Sequence, residues 1–165
     1  LTLPIAALGA LIAALIETSI APELMIAGAQ ADIVFALAVL AAMLIGIEDG
    51  LVWAFLGGLM LDMLIPARPI GATALSLLLV VGVAGLAARL PGPRRLTAGV
   101  AVFVLTWLFH LVLIGVMAMT EGVRLSAFQP MVVLAAALLN SIIALIASVG
   151  FDALGRRFEP ERADW

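Results

Sequence analysis

The sequence predicts an all-α membrane protein, a compact bundle of six transmembrane helices, and three observations carry that prediction. The 165 residues are 65% hydrophobic and only 12% charged, against roughly half apolar and a quarter charged in ordinary soluble domains. Mean hydropathy is +1.30. The apolar residues also fall into six runs, each approaching the ~20 residues that a helix needs to cross a ~30 Å hydrocarbon layer.

In chain order the runs cover 3–20, 31–47, 50–65, 70–90, 98–119 and 128–150. Turn-forming residues part them: Pro22-Glu23, Glu48-Asp49-Gly50, Pro66-Ala67-Arg68-Pro69, Pro91-Gly92-Pro93 and Thr120-Glu121-Gly122. Breaks this short make successive helices antiparallel, so 1–150 reads as one transmembrane domain and 151–165 as a cytoplasmic tail. In that tail Phe151, Leu154 and Phe158 alternate with Arg156 and Arg157. The segment reads as a positive stop after the last span in preference to an amphipathic surface helix.

Arginine placement sets the orientation, because basic residues collect on the cytoplasmic side. Arg89, Arg94, Arg95, Arg156, Arg157 and Arg162 would lie on one side, and only Arg68 and Arg124 on the other. Both termini are therefore expected in the cytoplasm. The 48–49 break should share that side yet carries two acids and no arginine; acids weigh little in this rule.

Composition also excludes several functions. Cysteine is absent, which removes disulfides, thiol catalysis and Cys-based metal sites. All eight basic residues are arginine, and the net charge of −3 gives no nucleic-acid signature. The first residue is Leu1, which reads as a trimmed or unseen N-terminus, and no signal-peptide pattern is evident. His110 is the only histidine and has no second metal ligand at usable spacing. Ser76, Ser141 and Ser148 lack the strand-turn-helix setting of a catalytic nucleophile. No catalytic, cofactor or metal site is expected, and the chain does not read as an enzyme.

Small residues mark the faces on which helices meet in lipid, where close backbone approach replaces the hydrophobic effect. The third run carries Gly50, Ala54, Gly58 and then Asp62, all four apart, with Gly57 widening the ridge. Gly9, Ala13 and Glu17 repeat the pattern in the first run, and Ala136, Asn140, Ala144 and Ser148 in the sixth. Each polar residue continues a small-residue face, so it should point into the bundle. Asn140 and His110 read as hydrogen-bonding links between helices.

Asp62 demands compensation, since an acid in the membrane costs about 2.5–3.5 kcal/mol at mid-depth and less near an interface. It also opposes the dipole at a helix C-terminus. Arg68 in the following turn is one partner; the backbone around Gly71 and Thr73, or the Thr73 hydroxyl, is another. Three roles stay open: shaping the helical hairpin, forming a partner surface, or holding an ion, proton or ligand.

Together, the glycine opening the third run, Gly58-Leu59, Asp62, the Pro/Gly break, and Gly71 with Ala74-Leu75 resemble the MreD family, mainly over 31–85. These are small bacterial membrane proteins of the rod-shape-determining system. Where that family often has a basic residue before the first glycine, this chain has Glu48-Asp49. The resemblance implies a non-enzymatic scaffold of the cytoplasmic membrane. Its partners would be MreC and, through it, RodA with penicillin-binding protein 2 and MreB, as well as membrane lipids. It also implies the fold of the S-components of energy-coupling-factor vitamin transporters. Such a substrate-binding S-component is the alternative reading, and Ala6, Ala10 and Ala14 have the spacing of the alanine ridge by which S-components dock on their transporter. The residues assigned to structure and partner surface are Gly50, Ala54, Gly57, Gly58, Asp62, Arg68 and Gly71, followed by Glu17, His110 and Asn140.

Overall fold

The computed structural model describes residues 3–66, 68–88, 93–124 and 128–158, and these are helical almost throughout. Six α-helices follow one another: α1 (Leu3–Ser19), α2 (Ile33–Leu44), α3 (Ile47–Leu64), α4 (Ala72–Ala87), α5 (Arg94–Glu121) and α6 (Pro130–Phe158). A 3₁₀ turn at Ala21–Leu24, with Pro22 near its start, follows α1.

The helix ends obey local chemistry. Gly71 has φ +94° and Gly122 φ +67°, a left-handed backbone that glycine adopts without strain; they open α4 and close α5. Pro130 begins α6, where its missing N–H is no loss. Glu48 and Asp49 lie in the first turn of α3, not in a connecting loop as the sequence suggested. Acids suit that position because the helix N-terminus is positive, and the break falls instead at Ile45–Gly46.

Helix α2 touches all five other helices and is the hub of the fold. Val34, Phe35, Ala36 and Ala38 through Met43 are buried on every side, as expected for a helix that is apolar all round. Phe35 stacks on Phe109 of α5 at 5.1 Å. Helix α1 turns small residues inward and large ones outward. On α1, Ala6, Ala10, Ala13 and Ala14 are buried, while Ile5, Leu8, Ile12 and Leu15 are exposed. That inverts a soluble helix and suits contact with lipid.

Three helical stretches are long and apolar enough to cross a membrane: Pro4–Glu23, Arg95–Glu121 and Pro130–Gly150. The remaining runs give shorter or more charged helices. α2 has 12 residues and α4 has 16, and α3 carries Glu48, Asp49 and Asp62 within its 18. The expected span 31–47 contracts because α2 is flanked by Asp32 before it and Ile45 after it, and Gly46 already precedes α3. Beyond Gly150, α6 continues to Phe158, so the first half of the expected tail is helical. Arg89 and Arg162, used for orientation, lie outside the described residues, as does Ala67 of the third break.

The ridge on α3 serves two neighbours. A Cβ on Gly50 would strike Ala42 of α2, with its Cα at 2.7 Å, and one on Gly57 would strike the Val34 side chain. Gly58 faces α4 instead, where an added Cβ would lie 2.7 Å from Ala74 N. Ala54, between them, is fully buried. On α1, Gly9 admits the Trp53 ring, whose edge lies 2.8 Å from where a Cβ would be.

Candidate functional site

Acids near the ends of α1 and α3 clasp the start of the helix that follows each of them. Asp62, 3% exposed, accepts from Gly71 N at 2.9 Å, Thr73 N at 3.0 Å and Ala74 N at 3.3 Å. Those are the N–H groups that an α-helix cannot bond internally. The carboxylate therefore acts as a cap supplied from another helix, and the positive end of α4 offsets the unfavourable dipole of α3. Of the partners left open by the sequence, the backbone of α4 is the one observed. Arg68 Nη1 donates instead to the Thr73 hydroxyl at 3.2 Å, bracing the same corner from outside.

Glu17 repeats the device. It is also 3% exposed, and its Oε2 accepts from Val34 N in the first turn of α2 at 2.8 Å. Thus α1–α2 and α3–α4 are built alike: small residues down the inner face, then an acid that holds the next helix in place.

The second polar group joins three helices through a residue that the sequence reading missed. Asp32, just before α2, donates its backbone N–H to Asn140 Oδ1 at 2.8 Å and accepts from Asn140 Nδ2 at 2.9 Å. Asn140 Nδ2 also lies 3.3 Å from Thr106 Oγ1 on α5. Asn140 is fully buried and ties α6 to α2 and α5, as expected of a link between helices. His110 Nδ1 donates to Thr106 O at 3.0 Å within its own helix, and Nε2 stands 3.8 Å from Asp32 Oδ2. The signal for Asp32 was an acid directly before an apolar helical run, the usual mark of a helix start.

Replacing Asn140 with leucine is expected to lower stability by about 2–3 kcal/mol, because a buried N–H and a carboxylate oxygen of Asp32 lose their partner together. Thermal unfolding of the purified protein in detergent measures this.

The structure thus gathers Gly58, Asp62, Arg68 and Gly71 at the α3–α4 corner, while Gly50 and Gly57 face α2 and Ala54 is buried between them. Glu17, Asn140 and His110 gather separately around the start of α2. Between the two groups lies an open cleft of about 300 Å³, lined by Glu17, Thr18, Pro22, Gln30, Leu64, Ile65, Pro66 and Arg68. Ser76, Ser141 and Ser148 donate their hydroxyls to carbonyls of their own helices. Among the described residues no group of three or more His, Asp or Glu side chains is arranged to hold a metal ion. In comparisons with known proteins, the chain matches no family model, no curated protein and no solved structure.

Proposed function

We propose that this protein is a non-enzymatic scaffold of the bacterial cytoplasmic membrane, of MreD type. In this reading it has six membrane-embedded helices, an S-component-like fold and both termini in the cytoplasm. It binds MreC and, through it, supports regulation of peptidoglycan synthesis by RodA and penicillin-binding protein 2 along MreB filaments. One observation carries the proposal. The residues behind the resemblance, Gly58, Asp62, Gly71 and Ala74, converge on a single corner, where Gly58 seats against Ala74 and Asp62 clasps the Gly71 and Ala74 amides. A motif that builds one rigid corner suits a docking scaffold, since a partner helix needs a fixed surface.

The alternative is the substrate-binding S-component of a vitamin transporter, and the cleft between Glu17 and Arg68 favours it. An alanine ridge that docks on a transporter must be accessible, however, and Ala6, Ala10 and Ala14 are buried within this chain.

Purification of the tagged protein from its native membrane, with its companions identified by mass spectrometry, separates the two. Recovery of MreC and the wall synthase is the expected result. Recovery of paired ATPases with a membrane coupling subunit would replace the scaffold with a transport component.

A further inference from the structure

The cleft at the ends of α1 and α3 brings an acidic and a basic side chain from two separate helical hairpins to one lining. On one side lies the Glu17 carboxylate, almost wholly buried, with Oε2 on Val34 N. On the other lies the Arg68 guanidinium, half-buried, with Nη1 on the Thr73 hydroxyl. The Gln30 amide and the Thr18 hydroxyl complete the polar lining, and the Thr18 hydroxyl already donates to Ala14 O. Each side chain is held in place by a bond to its own framework, so both are preorganised at the cleft and neither must move to receive a ligand. Guanidinium has five N–H donors in a planar fork; one engaged Nη1 leaves others for an anion, and phosphate, like carboxylate, fits that fork. A carboxylate fixed through one oxygen keeps acceptor capacity for an ammonium.

The surroundings narrow the ligand. Leu64 and Ile65 line the cleft with the polar groups, and Ile16, Ile20, Met63 and Leu64 on the same two helix ends are exposed. A polar pocket flanked by exposed apolar side chains at helix ends suits a molecule with a charged head and an apolar tail. At about 300 Å³ the volume is at the low end of ~300–1,000 Å³ for small-ligand sites, which fits a head group and excludes a large cofactor.

We infer that this cleft binds an ammonium–phosphate zwitterion, the head-group chemistry of phosphatidylethanolamine, with phosphate on Arg68 and ammonium toward Glu17. The inference goes beyond the scaffold reading and needs no partner protein, so the two can fail independently.

The test is native mass spectrometry of the purified chain in detergent with equal amounts of phosphatidylethanolamine, phosphatidylglycerol and phosphatidylcholine. Phosphatidylglycerol has no ammonium, and the quaternary ammonium of phosphatidylcholine has no N–H to donate. Retention of phosphatidylethanolamine over both by ~tenfold, the scale of one charge-assisted hydrogen bond, is expected. Arg68→Gln and Glu17→Gln should each remove that preference; Glu17→Gln keeps an oxygen for Val34 N and so preserves the helix clasp. Equal retention of the three lipids by the wild-type chain would overturn the inference, as would an undiminished preference in both variants. Free O-phosphoethanolamine distinguishes the sources. If it displaces the lipid at comparable concentration, the site belongs to a soluble zwitterion of the same chemistry; if it does not, the site belongs to the lipid.

Discussion

Gly58→Leu is expected to force α3 and α4 apart and to destabilise the protein by about 3 kcal/mol or more, at the top of the range for overpacking. The reason lies in what the new side chain would meet. A Cβ at Gly58 would lie 2.7 Å from Ala74 N and 3.1 Å from Ala74 Cβ, and backbone in the first turn of a helix cannot swing aside as a side chain can. Gly57 differs because its obstacle is a Val34 methyl and not backbone, so less of the neighbouring helix has to move. Gly82 supplies the control. Its Cβ would meet nothing within 4 Å, so Gly82→Ala should be neutral or stabilise by up to ~1 kcal/mol through helix propensity. Unfolding in a graded mixture of mild and denaturing detergent should rank Gly82→Ala and wild type above Gly57→Ala, and all of these above Gly58→Leu.

Asp62→Ala is expected to cost about 3–5 kcal/mol. It leaves the amides of Gly71, Thr73 and Ala74 without the oxygens they now share. A single N-cap is worth ~1 kcal/mol on average and up to ~2 kcal/mol in water, but water that would otherwise take over those amides is scarce in a buried corner of a membrane protein. Asp62→Asn keeps one oxygen and loses the charge that complements the start of α4, so a loss of about 1–2 kcal/mol is expected. The order wild type, Asn, Ala is the signature of a cap. A pure ion pair with Arg68 would make Asn as damaging as Ala, and loss of Arg68 as damaging as loss of Asp62.

What could be read from the chain and what could not divides along physical lines. Helices were legible because apolar runs and their Pro/Gly punctuation are local signals. The inward direction of Asp62 and Glu17 was legible because each extends a ridge of small residues at four-residue spacing. The partner of Asp62 was narrowed to two and not decided: Arg68 is near in sequence, but the three N–H groups at the start of α4 satisfy the carboxylate without the entropy of ordering a long side chain. Asp32 escaped notice because its partner Asn140 is 108 positions away, and an acid before a helix ordinarily caps that helix itself. Here its side chain makes no such bond; it meets Asn140, while Glu17 serves Val34. The short length of α2 was hidden as well. Hydropathy records how apolar a helix is, and a helix shielded by five neighbours is as apolar as one that faces lipid.

The central claim is that the Asp62 corner fixes the surface on which a partner docks. Its most direct measurement is partner recovery with wild type, Asp62→Asn and Asp62→Ala, compared at equal amounts of membrane-inserted, monodisperse protein. The account predicts recovery of MreC close to wild type for Asn and strongly reduced for Ala. Wild-type recovery with Asp62→Ala, from protein confirmed to be destabilised as above, would show that the corner serves stability alone and would contradict the claim.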